Sequence, residues 1–176
     1  VTVPAKELLA SPLLSRLGIS GIFIPFTGEP SINTQQPDAS LPVVVAHEKA
    51  HQRGITDEGE ASLAGVMACL VAEDPYLRYA AHLEIAGRLI GAIARVQPEE
   101  AAAAWERLGA GPRADLAAIR EFWERHRGAA TRVARGVNDA YLRSNRVPGG
   151  VRSYGRVADM LVALDRAGQL ELTPAR

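Results

Sequence analysis

His47-Glu48-Lys49-Ala50-His51 sets two imidazoles four positions apart, with a carboxylate directly after the first. On a helix, residues four apart lie about 40° apart around the axis, so both rings can meet one metal ion. Two such nitrogens are half of a tetrahedral zinc site. Glu48 stands where its carboxylate reaches a metal-bound water without ligating the metal itself. This spacing serves zinc-dependent hydrolysis of an acyl bond, most naturally a peptide bond. A zinc-activated water attacks, and Glu48 as general base takes its proton and later returns it to the leaving amine. The plainer alternative is a helix whose two histidines pair with nearby carboxylates.

A third protein ligand is required, and the remaining histidines are His82 and His126. Carboxylates stand closer in the chain. Thr56-Asp57-Glu58-Gly59-Glu60 opens a helix that must fold back along the first. Glu58 and Glu60 are two positions apart and point about 200° apart, so one alone can face the metal. Glu60 shares a face with Ala64, Met67 and Val71, the stripe expected to pack inward. That favours Glu60 as the ligand and leaves Glu58 as the alternative. Either charge also suits a helix N-terminus.

The elements that position these residues are read from local signals. Gly21 to Phe26 is a short β-branched and aromatic run that Pro25 assigns to a sheet edge. Residues 27–40 carry Gly, Pro, Asn, Gln and Asp, which is loop chemistry. Ser40 can cap a helix of about 41–53 with Pro42 in its first turn, and Gly54 stops it. Thr56 or Asp57 can cap the next helix, which runs to about Ala72, and the short connection packs the two side by side. Asp74-Pro75 opens a third helix to about Arg95, Glu99 to Leu108 form a fourth, and a long fifth follows Pro112, with bends expected near Gly128 and Gly136. Ser153 can cap a last helix closed by Gly168. The expected fold class is mainly α (α+β): one domain over residues 1–176, zincin-like, of about six helices with a β edge strand or hairpin near the N-terminus.

The segments Ala46 to Gly54, Glu58-Gly59-Glu60-Ala61, Ala68-Cys69 and Asp74 to Tyr79 resemble an uncharacterised bacterial family of membrane-anchored HExxH proteins. Gly21 to Glu29, Tyr141-Leu142-Arg143 and Gly150 to Tyr154 fit the same family, so the resemblance spans most of the chain. It implies transmembrane helices before Val1, with this portion as the catalytic domain. It also implies a zinc metallopeptidase with glutamate as third ligand, and it favours Glu60, which opens a Glu-Ala-Ser segment similar to the Glu-Ala-Asn of related zinc peptidases. Thermolysin-like enzymes place an aspartate four residues after the ligand glutamate to orient a histidine. Counted from Glu60 that position is Ala64, so the orienting partner must come from elsewhere.

Geometry and the family pattern together point to further candidates. Tyr79 and Tyr154, with Tyr76, are phenols near helix starts that could donate to the oxyanion, although structural tyrosines are commoner. Arg78 and Arg152 could bind a substrate carboxylate or pair with Asp74 and its neighbours, and pairing is favoured. The edge strand could hold an extended peptide by strand addition, or be covered by the protein's own loop.

Lys plus Arg equals Asp plus Glu at 20 each, so the balance recommends no polyanionic partner. Residues 1–100 hold seven basic and twelve acidic side chains and residues 101–176 hold thirteen and eight, which separates a carboxylate-rich half bearing the motif from a helical half with solvated arginine faces. The one cysteine, Cys69, forms no intrachain disulfide and reads as a buried, unactivated thiol. The most apolar stretch, residues 85–96, is broken by Arg88 and Arg95, so the segment itself is read as a soluble domain. Beside the peptidase stand two other readings. One is a zinc-holding domain with a binding role. The other is a nucleic-acid module resting on Arg152, Arg156 and Arg166, whose charge is sparse and balanced by Asp159 and Asp165.

Overall fold

The computed structural model describes residues 3–144 and 156–170. In chain order the elements are β1 (Lys6–Glu7), α1 (Ser11–Leu17), β2 (Gly21–Ile24), β3 (Glu29–Ile32), α2 (Leu41–Gln52), α3 (Glu58–Leu70), α4 (Pro75–Ile93), α5 (Pro98–Arg107), α6 (Ala110–Arg125), α7 (Ala129–Ser144) and α8 (Arg156–Arg166). The fold is mainly helical with a small sheet near the N-terminus, as the sequence indicated. Eight α-helices stand among the described residues instead of about six. Ser11–Leu17 forms a helix closed by Gly18, and the long fifth helix divides near Gly128 into α6 and α7. No described helix is long and apolar enough to cross a membrane.

The sheet order is β1-β3-β2, with β1 parallel and β2 antiparallel to β3. β2 is therefore an edge strand, and it ends at Ile24 because Pro25 opens the turn. Gly28 completes that turn at φ 68°, with its N–H donating to the Ile24 carbonyl at 2.8 Å. β3 corrects the loop reading of residues 27–40. Pro30 is tolerated in this middle strand because β1 pairs only with Ser31 and Ile32, leaving Pro30 a neighbour on one side alone.

Polar residues that read as loop in the sequence form a buried network behind β3. Asn33, fully buried, donates to the Ser15 hydroxyl at 3.0 Å and to the Ile19 carbonyl at 3.1 Å. Gln36 donates to the carbonyls of Ser20 and Asn33, both at 2.9 Å. Satisfied polar groups of this kind fix a unique path, and this one delivers the chain to the start of α2. Ser40 precedes α2 without capping it through its side chain. Its hydroxyl donates instead to the Pro37 carbonyl at 2.7 Å.

Asp57 caps α3 by accepting the Glu60 N–H at 3.0 Å, and Asp74 caps α4 by accepting that of Tyr76 at 2.8 Å. The core joins α2, α3, α4 and α8 through Val43, Val66, Cys69, Ala81, Ile85, Val157 and Leu161. The α2–α3 contact is unusually close. A Cβ built on Gly65 would lie 2.9 Å from the backbone nitrogen of His47, so only glycine allows this approach.

Candidate metal centre

The C-terminal half of α2, the turn after it and the first turn of α3 converge on one point. His47 Nε2 and His51 Nε2 are 3.0 Å apart. The Glu58 carboxylate lies 3.2 Å from the first and 3.4 Å from the second. All three side chains are largely buried, with 13–17% of each exposed. His47, His51 and Glu58 form a cluster that could hold a metal ion. Lone pairs on two ring nitrogens and a carboxylate oxygen repel unless a cation, proton or metal, lies among them.

Each ring is held from behind. His51 Nδ1 meets the Ile55 carbonyl at 2.7 Å, and because a carbonyl only accepts, Nδ1 carries a hydrogen and Nε2 faces the cluster. His47 Nδ1 lies 3.2 Å from the Ser62 hydroxyl. Phe23 of β2 stacks beside His51, with centroids 6.5 Å apart and planes at 22°. Gln52 donates to the Gly28 carbonyl at 2.8 Å, tying the end of α2 to the β2–β3 hairpin.

Glu48 is only 4% exposed and lies against the start of β2, where a Cβ on Gly21 would fall 2.6 Å from its carboxylate oxygen. Burial raises its pKa from 4.5 to about 7; the positive field of His51 opposes this and the negative field of Glu58 adds to it. For Glu58, burial also pushes upward, but hydrogen bonds from His47 and His51 outweigh it and hold the carboxylate well below its usual range. Burial acts to lower His51, yet its contact with Glu58 carries the net shift upward.

The structure brings Glu58, not Glu60, to the histidines. Glu60 is exposed, and its backbone N–H is engaged by the α3 cap. The sequence reading took Ala64, Met67 and Val71 for the inward stripe, whereas Val71 is 79% exposed. The face against α2 is made of small residues, Ala61, Ser62 and Gly65, and Glu58 lies on it three, four and seven positions earlier. Four residues on from Glu58 stands Ser62, whose hydroxyl is the group that meets His47 Nδ1. The Ile55 carbonyl left no sequence signal, since any residue carries one.

The other candidates lie elsewhere. Tyr79, expected as an oxyanion donor, donates its hydroxyl to Asp115 and so joins α4 to α6. Desolvation and that carboxylate push its pKa up to about 12. Tyr76 lines an apolar groove of about 780 Å³ with Leu41, Val45, Lys49 and Leu77. That groove lies on the side of α2 away from the histidines, since Val45 and Lys49 are nearly opposite His47 and His51 around the helix. Arg78 donates to the carbonyls of Ala72 and Glu73, both at 2.7 Å, instead of pairing with Asp74. His126 bonds the Phe122 carbonyl at 2.8 Å, and His82 is exposed on α4. Cys69 is buried, and burial raises its thiol pKa. Tyr154 and Arg152 lie outside the described residues.

A family model described as "Protein of unknown function (DUF3810)" matches residues 2–162. No curated protein and no solved structure matches the chain.

Proposed function

The chain belongs to the DUF3810 family, and from that premise we propose that it is a zinc-dependent hydrolase, a metallopeptidase whose ligands are His47, His51 and Glu58. The carrying observation is the spacing of the three donors, 3.0, 3.2 and 3.4 Å. Zinc bonded to nitrogen and oxygen at about 2.0–2.1 Å gives a tetrahedron with edges of about 3.3–3.4 Å, so the triangle is that of a zinc site within a few tenths of an ångström. A three-ligand set leaves the fourth position for solvent or substrate, as catalytic zinc requires. Bound there, zinc would supply a Lewis acid that polarises a carbonyl and acidifies water.

The remaining work falls to the chain. Glu48 follows the first ligand, and its carboxylate suits both halves of the proton traffic: it takes a proton from the attacking water and delivers it to the departing amine. Among the described residues β2 is an edge strand next to His51, through Phe23, where an extended peptide would pair its backbone by strand addition. Under this proposal, and with the anchoring that the sequence resemblance implies, the chain would be the catalytic portion of a membrane-anchored peptidase.

One observation favours a second reading, a zinc-holding domain that binds without turnover: the depth at which Glu48 is buried against Gly21. The variant Glu48→Gln separates the two. Under the peptidase reading it retains about one zinc per chain and loses at least about a hundredfold in the rate of peptide-library cleavage. Cleavage at the wild-type rate removes Glu48 from its role. Metal analysis after dialysis tests the ligand set: Glu58→Ala loses zinc and Glu60→Ala keeps it, and the opposite pattern returns the role to Glu60.

A further inference from the structure

Behind His47, on the side away from the proposed ion, lies a hydroxyl that neither the motif nor the ligand set requires. Ser62 is 4% exposed, and among the described residues His47 Nδ1 is its one hydrogen-bond partner, at 3.2 Å. A buried hydroxyl left without a partner is costly, so serine in the middle of a packed helix needs a reason to be there. Its neighbours on the face are smaller still: Ala61 and Gly65 bring the α3 backbone against α2, and at this range a one-carbon side chain spans the gap to the ring.

We propose that Ser62 is a positioning residue for His47, resting on the zinc reading above: its oxygen accepts the Nδ1 hydrogen and fixes the ring so that Nε2 points at the cation. Glu58 and Ser62 are four apart on one helix face, so a single rigid turn of α3 supplies a ligand directly and holds a second ligand through its hydroxyl. His51 is oriented independently, by the Ile55 carbonyl at 2.7 Å. The two rings thus have separate supports, one from a helix and one from the inter-helix turn. Both supports are uncharged.

The test is zinc affinity measured by competition with a chromogenic chelator, on wild type and Ser62→Ala, with circular dichroism to confirm an unchanged fold. Ser62→Ala removes one oxygen and adds nothing, and it should weaken zinc by about tenfold or more. Equal affinity in the two proteins overturns the proposal. Nitrogen-15 histidine spectra of zinc-loaded wild type test the contact with no substitution: His47 should show a protected Nδ1–H, and a His47 ring whose Nδ1–H exchanges as fast as in free imidazole would overturn it. Wild type that takes up no zinc at all refutes the ligand set itself, which distinguishes that failure from a failure of Ser62.

Discussion

At the scale of one side chain, burial of Glu48 costs stability, since its pKa rises from 4.5 to about 7 in the fold. Between those values the unfolded chain releases a proton that the folded chain keeps, so stability falls as pH rises through that window. In chelator-treated protein, Glu48→Gln should reduce this fall, leaving the part due to His51, whose pKa is also raised, and be more stable than wild type at pH 8 by roughly 1–3 kcal/mol. Denaturant midpoints at pH 5 and pH 8 measure it, and a variant less stable than wild type at pH 8 contradicts the burial argument. His47, Glu48 and His51 were legible from sequence because helix geometry alone fixes their relation. Glu58 was not legible by the same logic. Its choice over Glu60 depends on which face of α3 meets α2, and the stripe of Ala64, Met67 and Val71 pointed to a different face from that of Ala61, Ser62 and Gly65.

Among the elements, the α2–α3 pair sets the donor triangle, and Gly65 sets the pair. A Cβ there would press on backbone, 2.9 Å from the His47 nitrogen and 3.2 Å from the Val43 carbonyl, so neither neighbour can turn aside. Gly65→Ala should cost about 1–3 kcal/mol through overpacking and weaken zinc by moving Glu58 away from the rings. Gly91 on α4 has open space where its Cβ would go, so Gly91→Ala should leave zinc unchanged and hold or gain up to about 1 kcal/mol. Equal effects from the two substitutions, in chemical denaturation and metal competition, would refute the close-approach account. The capped helices α3 and α4 were read nearly to the residue because Asp57, Asp74 and Pro75 are local signals. Residues 29–32 read as loop because Glu29-Pro30-Ser31-Ile32 has weak strand character, and β1, which pairs with it on one side, is remote in sequence. Division of the long helix at Gly128 was anticipated only as a bend, since a break and a kink leave the same glycine.

For the molecule as a whole, α2, α3, α4 and α8 share one core, and the three-stranded sheet lies beside the cluster of His47, His51 and Glu58. The two margins of that sheet differ. β1 carries Lys6 and Glu7, both exposed, and Lys6 pairs with Glu29 at 2.5 Å, the kind of charge that discourages strand association. Beyond β2, Ile22 is 39% and Phe26 fully exposed, with no charge between them. A margin left open for a guest strand is equally open to a twin. Two molecules aligned there would each cover the other's β2 edge, so under the peptidase proposal turnover per molecule should decline as the protein is concentrated and recover on dilution. Ile22→Lys should remove that decline, as read by cleavage rate alongside sedimentation at matched concentrations. Constant turnover and a constant sedimentation coefficient across the range would show that the uncharged side stays solitary by some other means.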